Sequence, residues 1–554
     1  MNIYKHIIGI PKFKYLTLSL VLILMYSKTY SQKSYEPTRE SLSKYKVPEW
    51  YHDAKIGFFY HWGPQTALGD KWNKDISDFC LQKGKYKDSN LGIKNPVGQW
   101  GSHMYPNMKN GTIKPDSLQS TAYLIHKQLY GDPKDFGYKE LIPLMSDTGW
   151  NPTEMVRLLD EAGVKYIVPQ AIHHDGFAMW DSEVIDEFNA AKMGPMRNTT
   201  KEVIDAARNR GIKVGVSTHA SRHSWYYKKI PGYDTGDSRY EQLYGVGLSK
   251  NGMPKPSAIK KWENTLGELV DLFHPDYIFV DGGSADIFSK NGSYIWQDAF
   301  RRVLSNYYNK AEKGGWDPVL TFKRESLWKD EAVPDYEGGN LINIAPYKWQ
   351  THASISGWFY RPGRGRRAPS SVLFSKIIDA VSKNGNILLN LAIKTDGSIQ
   401  DQEITFLKDM ATWMQTNGEG IHATRPWLVY GELEPEKSLG FVSMEKKKGK
   451  VYNDPDKIEM GRYKLHPGDI RYTRSKDEKI IYATRLSWPE KPFLLGSFGS
   501  NAAGKDIKIK SVSLLGSDAK ISWKKTADGL YITPPSEPVF KDNTWPVMFK
   551  IVKK

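Results

Sequence analysis

A repeated unit of one amphipathic helix followed by one apolar strand places the strongest constraint on the fold of this chain. In NPTEMVRLLDEAG, Asn151 suits the N-cap, Pro152 suits the first helical turn and Gly163 ends the helical pattern. The apolar run VKYIVPQA follows at once. Apolar strands that are joined by helices indicate a parallel sheet that is buried on both faces.

The same unit recurs along the chain. The helical segments TTKEVIDAARNRG, NTLGELVDLFHP, AFRRVLSNYYNKAEKGG and SKIIDAVSKNG precede the apolar runs IKVGVS, DYIFVDGG, PVLTFKRE and NILLNLA, and AKIGFFYHWG supplies an opening strand. Thr199 and Glu202 have the spacing of a capping box. Six strands with long insertions favour an α/β fold of the irregular (β/α)8-like barrel type. No glycine-rich dinucleotide motif follows any of them, which weakens the doubly wound alternative.

Beyond Trp427 the pattern changes to short alternating segments such as KIIYATRLSW and IKIKSVSLLG. Such segments, broken by turn residues, predict an antiparallel β-sandwich. The chain has 554 residues, more than one hydrophobic core usually spans. We therefore predict a signal peptide over residues 1–31, a barrel over residues 32–427 and a C-terminal β-sandwich over residues 428–554.

The N-terminal segment MNIYKHIIGIPKFKYLTLSLVLILMYSKTYSQKS has lysines before a short apolar run and small or polar residues after it. This pattern is typical of a cleavable export signal. We expect a periplasmic or secreted protein with no stable membrane insertion and no nucleic-acid partner. The single cysteine, Cys80, cannot form an internal disulfide. The net charge of +16 fits either a solvated surface or an acidic polysaccharide partner.

Polar side chains stand at the expected carboxyl ends of the strands, where the active sites of such barrels lie. They are His61, Trp62, His173, His174, Asp175, His219, Asp281 and Arg324. This set could hold a divalent metal for hydrolysis, or it could hold a sugar. Trp62, Trp180, Trp225, Trp349 and Trp358 fall in or beside the same segments. Because flat apolar rings suit a pyranose and have no use in a metal site, we predict a carbohydrate site without metal or cofactor. Its predicted lining includes Trp62, Trp225 and Trp358, and Trp180 suits either the pocket wall or the core.

Glycoside hydrolysis needs two carboxyl groups, one at the anomeric carbon and one at the leaving oxygen. Asp281 is the candidate nucleophile because a strand delivers it to the rim, where Gly282 and Gly283 leave room for a sugar. Glu325, Asp335 and Glu337, in RESLWKDEAVPDYEGGN, are the candidates for the second carboxyl group.

An extended backbone through VPDYEGG would point Asp335 and Glu337 to the same side and Tyr336 to the other. Repulsion between the two carboxylates would raise the pKa of one of them, which suits a general acid. Glu337 is our first choice for the acid because of its reach and its two following glycines, and Asp335 is the second. We expect Glu325 to form an ion pair with Arg324 or Lys323.

The strings FFYHWG, HHDGF, YIFVDGG, GNILLNL followed by TDGSI, and NGEGIHATRPW resemble, in that order, the hallmark segments of the α-L-fucosidases of glycoside hydrolase family 29. The resemblance implies a retaining exo-glycosidase on an irregular barrel with a C-terminal β-sandwich. It also implies that His61, His173 and His174 hold fucose hydroxyls, that Asp281 is the nucleophile and that Arg324 contacts the sugar. Glu337 falls near the expected position of the family's acid/base glutamate.

The chain departs from the family's pattern in three places. His103 and Met104 stand in place of an acid and a tryptophan; His219, Arg222 and His223 stand where Tyr-Tyr-Ser is common; and Arg197-Asn198 replaces Arg-Asp. α-L-Galactose is α-L-fucose with an additional hydroxyl on C6. A hydrophobic pocket rejects an added hydroxyl only by about 10²-fold, so an α-L-galactosidase is an alternative.

The galactan substrate of such an enzyme could be sulfated, because the arginines of FYRPGRGRR suit an oxyanion. A non-catalytic glycan-binding protein and a metal-dependent hydrolase are further alternatives. Linkage, aglycone and oligomeric state stay open.

Overall fold

The computed structural model describes most of the chain. The described residues are 34–71, 100–250, 252–282, 295–323, 326–361, 365–366, 368–433, 460–461 and 465–554. The predicted signal segment, Cys80, Gly283, Arg324 and Glu325 lie outside them. Among the described residues, no helix combines the length and the apolar character needed to cross a membrane.

Eight parallel strands form a closed barrel. They are β1 (Ile56–His61), β2 (Tyr166–Val168) with its continuation β3 (Gln170–Ile172), β4 (Lys213–Thr218), β5 (Tyr277–Val280), β6 (Val319–Lys323), β7 (Val333–Glu337), β8 (Trp349–Ser354) and β9 (Gly385–Ala392). Each strand pairs with the next along the chain, and β9 pairs with β1 to close the ring. Pro169 separates β2 from β3, as expected for a residue without a backbone donor. The predicted barrel is confirmed.

Seven helices of ten residues or more are described. They are α1 (Thr121–Tyr130), α2 (Pro152–Glu161), α3 (Thr199–Arg208), α4 (Pro256–Phe273), α5 (Ile295–Gly314), α6 (Ser370–Ser382) and α7 (Asp401–Asn417). The Asn151 side chain caps α2, as predicted. The capping box at Thr199 is wrong, because Asn198 caps α3 and Glu202 instead binds Arg197 and Trp150.

The barrel is irregular because two of its connections lack helices. Residues 338–348, between β7 and β8, form no helix, and neither do the described residues 326–332 before β7. Short helices occur at Arg39–Leu42, Glu49–Ala54, Trp100–His103, His223–Tyr226 and Glu241–Tyr244, and 3₁₀ turns at Pro64–Lys71, Asp116–Leu118, Lys139–Leu144, Ala220–Arg222, Asp234–Gly236, Ser238–Tyr240, Gly418–Gly420 and Gly496–Phe498.

The inward-facing side chains of the barrel strands form layers. The lower layers are a buried cluster that contains Phe59, Tyr166, Tyr277, Phe279, Val319, Val333 and Leu388. At the centre, the Oε1 atom of Gln350 accepts hydrogen bonds from the hydroxyls of Tyr51, Tyr166 and Tyr277 at 2.8, 3.0 and 3.1 Å. Because strand side chains alternate between faces, the next inward positions lie at the carboxyl ends. Apolar and tyrosine side chains therefore fill the interior of the barrel, and polar side chains can occupy the inward positions at the carboxyl ends of the strands.

Two antiparallel sheets follow the barrel. The larger contains β10 (Arg425–Glu432), β11 (Ile470–Arg474), β12 (Ile480–Arg485), β14 (Ile509–Leu514) and β17 (Val547–Lys553), and the smaller contains β13 (Phe493–Leu495), β15 (Ser522–Lys525) and β16 (Leu530–Thr533). Two-residue strands pair at Met108–Lys109 with Thr112–Ile113 and at Asn340–Leu341 with Met460–Gly461. The predicted C-terminal sandwich is confirmed, and its first strand begins at Arg425.

A buried ion network joins the barrel to the larger sheet. Asp379 of α6 accepts hydrogen bonds from Lys383 Nζ at 2.9 Å and from Arg471 Nε of β11 at 2.7 Å. All three side chains are almost wholly buried, and the Tyr430 ring of β10 lies 4.6 Å from Lys383 Nζ. The sheet thus supplies a partner to a charge that the barrel helix buries.

Candidate active site

Seven polar side chains meet at the carboxyl end of the barrel. His61, Lys323 and Glu337 are the last residues of β1, β6 and β7, whereas His173 and His174 follow β3, His219 follows β4 and Asp281 follows β5. All the strands are parallel, so these positions share one end of the barrel. In barrels of this kind that end carries the active site.

Four histidines form a buried cluster. Ring centroids lie 4.4 Å apart for His173 and His174, 4.7 Å for His173 and His219, and 4.9 Å for His61 and His219. Burial, together with the neighbouring imidazoles, lowers the pKa of each ring, to about 3 for His174. The cluster is therefore neutral at neutral pH.

The partners of the Nδ1 atoms fix the tautomers of His61 and His173. Asn390 donates through Nδ2 to the carbonyl of Gly357 at 2.7 Å, so its Oδ1 atom accepts from His61 Nδ1 at 2.6 Å. His173 instead accepts at Nδ1 from Gln65 Nε2 at 3.0 Å. In the neutral rings, Nε2 of His61 is consequently an acceptor and Nε2 of His173 is a donor.

The other two histidines are fixed in the same way. His174 donates from Nδ1 to the carbonyl oxygen of His219 at 2.6 Å, and His219 donates from Nδ1 to Oδ2 of Asp281 at 2.9 Å. The Nε2 atom of His219 is buried and has no hydrogen-bond partner among the described residues. Three acceptors and one donor therefore line the cluster, a mixture that can bind sugar hydroxyls.

Asp281 is held at both carboxylate oxygens. Oδ1 accepts from the amide of Gly282 at 2.8 Å and from the ammonium of Lys323, and Oδ2 accepts from His219. Burial would raise the pKa of Asp281, but Lys323 and His219 outweigh burial and hold this pKa well below its usual range. Gly282 has φ +83°, and an added Cβ would lie 2.6 Å from Ser221 Oγ, so this turn requires glycine.

Lys323 joins the two candidate carboxylates. Its Nζ atom contacts Oδ1 of Asp281 and lies 3.0 Å from Oε2 of Glu337. The predicted ion pair of Glu325 with Arg324 or Lys323 falls on residues outside the described ones and stays a prediction, whereas the two described ion pairs of Lys323 lie inside the site. Lys323 lowers the pKa of Glu337, and burial opposes it only in part. The expectation that repulsion raises the pKa of one carboxyl group is wrong for Glu337, since a cation lies beside it.

Asp335 and Glu337 share the inner face of β7, as the alternation predicts, and Tyr336 packs outside against Trp349. Asp335 accepts from His352 Nδ1 at 2.5 Å and from Gln350 Nε2 at 2.6 Å, and its side chain is fully buried. The Glu337 side chain is 50% exposed. Of these two carboxyl groups, Glu337 is therefore the one that a substrate can reach.

Trp358 and Phe359 form an aromatic wall beside the histidines. The Trp358 ring is half-buried and lies 5.8 Å from His61 and 5.3 Å from His352. Phe359, which the sequence reasoning missed, meets His61 and His173 edge-on at 5.1 and 4.8 Å. Trp358 therefore lies where the prediction placed it, and whether it touches a sugar stays a prediction.

The prediction for Trp62 is corrected by its burial. Its indole is fully buried and stacks on Trp150 at 4.7 Å, so it has no surface to offer a sugar. Trp180 and Trp349 are also fully buried, and their indoles donate to Glu268 at 3.2 Å and to the carbonyl of Lys383 at 2.8 Å. Trp225 lies half-buried on the short helix His223–Tyr226, and its predicted contact stays a prediction.

A buried carboxyl group stands behind the aromatic wall. Glu403 of α7 accepts from the hydroxyl of Ser356 and from the amide of Ala392, at 3.1 Å to Oε2. Burial raises its pKa to about 8, against the effect of these hydrogen bonds. Glu403 thus ties the end of β9 to the segment that carries Trp358.

The other residues singled out in the sequence take several roles. Asp175 accepts from the hydroxyl of Tyr138 at 2.5 Å and from the amide of Phe177 at 3.2 Å, so it anchors its own loop. His223 donates to the carbonyl of Leu243 at 2.6 Å.

Among the family departures, His103 contacts Ser102, Met104 is buried and Arg197 pairs with Asp147 and Glu202. In the arginine-rich segment, Arg366 binds Ser370 at 2.8 Å and Asp409 at 3.6 Å. Its guanidinium is therefore engaged within the fold.

Two groups of side chains bring possible metal ligands within 4.8 Å of one another. They are His61, His173 and His219, and His174, His219 and Asp281. The first group includes His173, whose Nε2 carries the proton when Nδ1 accepts from Gln65. The second uses His219 Nδ1 in a hydrogen bond to Asp281. The absence of a metal stays a prediction for the described site.

Comparisons with known proteins place the chain in a family. The family model "Alpha-L-fucosidase" matches residues 22–419, and the model "Alpha-L-fucosidase C-terminal domain" matches residues 465–552. The chain belongs to the α-L-fucosidase family. As a member it is a glycoside hydrolase, and the resemblance found in the motifs is confirmed.

Individual relatives agree with the family assignment over most of the chain. The tissue α-L-fucosidase of Rattus norvegicus is 25% identical over 537 residues, covering 93% of this chain and 90% of the rat protein. The plasma α-L-fucosidase of Homo sapiens is 24% identical over 511 residues, covering 89% and 87%. The crystal structure of Thermotoga maritima α-fucosidase in complex with fucose has a TM-score of 0.66 at 21% identity, covering 94% of this chain and all of that chain. The likeness to this structure shows a shared fold of barrel and sandwich.

Proposed function

We propose that the protein is an exo-acting, retaining α-L-fucosidase that releases terminal α-L-fucose by double displacement. The spacing of the two carboxylates carries the proposal. One nitrogen, Lys323 Nζ, contacts both Asp281 and Glu337. Two hydrogen bonds of about 3 Å that meet at one atom hold their acceptors no more than about 6 Å apart. Retaining enzymes place these groups at about 5–5.5 Å, and inverting enzymes at about 6.5–9.5 Å.

The two carboxyl groups take different roles because their surroundings differ. Asp281 is ionised and held at both oxygens, so it can attack the anomeric carbon and form a covalent glycosyl-enzyme as the glycosidic bond breaks. Glu337 is half-exposed, so it can reach the leaving oxygen and give it a proton. In the second step Glu337 takes a proton from water, which attacks the anomeric carbon and releases Asp281.

The neutral histidines supply the sugar contacts in this proposal. His61 and His174 offer acceptors and His173 offers a donor, so the cluster can bind several hydroxyls without adding charge. Each such bond contributes about 1 kcal/mol, and leaving one unmade costs more. The aromatic wall of Trp358 and Phe359 suits the apolar side of the ring.

An α-L-galactosidase is the second candidate, and the buried Nε2 atom of His219 favours it. This atom has no hydrogen-bond partner in the described part of the chain, so it could accept from the additional C6 hydroxyl of L-galactose. The experiment is to compare kcat/KM for aryl α-L-fucoside and aryl α-L-galactoside, and to follow the first-formed anomer by proton NMR. A first product of the β configuration would contradict the retaining mechanism. A larger kcat/KM for the galactoside would reverse the order of the two candidates.

Asp281→Asn tests the nucleophile. Turnover should fall at least about 10³-fold while fucose still binds, because only the attacking group is lost. Added azide should restore turnover and yield a glycosyl azide of inverted configuration.

Asp276→Asn is the matched control for this variant, because Asp276 stands at the other end of β5 and binds Lys213 at 2.7 Å. Undiminished turnover in Asp281→Asn would overturn the assignment. Loss of turnover on treatment with a chelator would favour the metal-dependent hydrolase, and binding without turnover of any glycoside would favour a glycan-binding protein.

A further inference from the structure

The role of Lys323 goes beyond the pair of carboxylates that it joins. Its side chain is 10% exposed and stands at the last residue of β6, on the same inner face as Val319 and Thr321. Its ammonium lies 5.6 Å from the centre of the Phe279 ring, on the neighbouring strand. The position at the end of β6 and the neighbouring Phe279 ring hold the ammonium of Lys323 between Asp281 and Glu337.

Charged and titratable groups face this ammonium from each neighbouring strand. Asp335 and Glu337 lie on β7, His352 on β8, and Asp281 after β5, while His174 and His219 approach Asp281 from the other side. The histidines near Asp281 are neutral because burial lowers their pKa. Lys323 is therefore the cation that faces both carboxylates among these residues.

The two carboxylates and the ammonium stabilise one another. Burial would lower the pKa of Lys323, but Asp281 and Glu337 outweigh burial and raise it. In return Lys323 lowers the pKa of Glu337, and together with His219 it lowers the pKa of Asp281. All three groups consequently carry their charges in the free enzyme.

We propose that Lys323 is a positioning residue that keeps both carboxylates ionised before substrate binds, and so sets the pH range of catalysis on the acidic side. The inference rests on the proposed function, in which Glu337 must be protonated and Asp281 ionised for the first step. A lowered pKa at Glu337 means that its protonated form is lost as pH rises through that pKa. A lowered pKa at Asp281 extends activity towards low pH. Both limbs of the pH profile are therefore displaced to low pH.

The test compares pH profiles of kcat/KM for the whole protein on an α-L-fucoside with a poor leaving group, whose departure needs the proton of Glu337. Lys323→Met removes the charge and keeps an unbranched side chain that is one atom shorter, so both limbs should move to higher pH. The ratio of turnover at pH 7 to turnover at pH 5 should rise several-fold, even if the maximum falls. Lys323→Arg keeps the charge and should keep the wild-type limbs. The matched control is Lys213→Met, which removes a strand lysine bound to Asp276 at the far end of the barrel and should leave the profile unchanged.

A purely structural role gives a different result. Lys323→Met would then lower turnover at all pH values and leave both limbs in place, which would overturn the proposal. A second measurement needs no substrate: the side-chain carboxyl of Glu337 is followed by ¹³C NMR in glutamate-labelled protein, with Glu337→Gln for assignment.

The NMR titration midpoint should be higher in Lys323→Met than in the wild type, and equal midpoints would contradict the inference. If the wild type cleaves neither the α-L-fucoside nor the α-L-galactoside, the proposed function fails. The NMR titration still decides the role of Lys323 in that case.

Discussion

Asp335 and Glu337 lie two residues apart on one strand, and the structure predicts opposite consequences of removing them. Glu337→Ala removes a half-exposed carboxylate that lies 3.0 Å from Lys323 Nζ and 3.9 Å from His352 Nε2, so stability should change by no more than about 1 kcal/mol. If Glu337 is the general acid, cleavage of a substrate with a poor leaving group should fall by about 10²–10⁴. An activated aryl fucoside, whose leaving group needs little protonation, should be largely spared.

Asp335→Ala should behave as a stability variant. It leaves two buried donors, His352 Nδ1 and Gln350 Nε2, without their acceptor. Each unpaired donor costs about 1–3 kcal/mol, so the loss is about 2–6 kcal/mol out of a total that is typically about 5–15 kcal/mol. Asp335→Asn keeps one acceptor oxygen and should recover part of this loss, which provides a folded variant if the alanine protein does not fold.

The assay is a series of aryl α-L-fucosides whose leaving phenols differ in acidity, combined with urea unfolding. For Glu337→Ala, log kcat/KM should depend steeply on leaving-group acidity, whereas Asp335→Asn should keep the wild-type slope. The reasoning is refuted if the steep slope belongs to the Asp335 variants and not to Glu337→Ala. The two roles would then exchange.

Two further predictions concern groups behind the site. Trp62→Ala should cost about 3–5 kcal/mol of stability with little change in KM. Trp358→Ala should instead raise KM at a smaller cost in stability. A raised KM in folded Trp62→Ala would contradict the conclusion that Trp62 does not line the sugar pocket. Burial raises the pKa of Glu403 from 4.5 to about 8, so between these values the unfolded chain loses a proton that the native protein keeps. Stability should therefore fall with rising pH by up to about 1.4 kcal/mol per pH unit, and Glu403→Gln should remove this decline in urea unfolding at pH 5 and pH 8. An equal decline in the stability of the wild type and of Glu403→Gln would contradict this prediction.

The sequence predicted those parts of the barrel that repeat. Six strands were recognised, five of them after an amphipathic helix, but Val333–Glu337 and Trp349–Ser354 were not recognised as strands of the barrel. No helix precedes Trp349–Ser354, and the inward residues Asp335, Gln350 and His352 interrupt the apolar runs that mark a buried strand. These polar groups are buried because they bond one another across strands, and that pairing is not visible along the chain.

Site residues could be predicted from the sequence where their position at the end of an apolar strand was sufficient to place them. Asp281 and the histidines were found because they end apolar strands. Lys323 was missed, although it shares a face with Val319 and Thr321, since its partners come from the ends of β5 and β7. Trp62 was misassigned because a residue just beyond a strand can turn to either side, and its stacking on Trp150 depends on a segment almost ninety positions away in the chain.

The buried network at Asp379 limits how this enzyme could be shortened or recombined. Deleting the C-terminal sheets would leave Asp379 and Lys383 without Arg471 and would open a charged patch on α6. Helix α6 leads directly into β9, whose Asn390 orients His61. The orientation of His61 thus depends, through one helix and one strand, on an arginine of the C-terminal sheet. Grafting this barrel onto a foreign domain would require an arginine at the position of Arg471, or the loss of all three charges together.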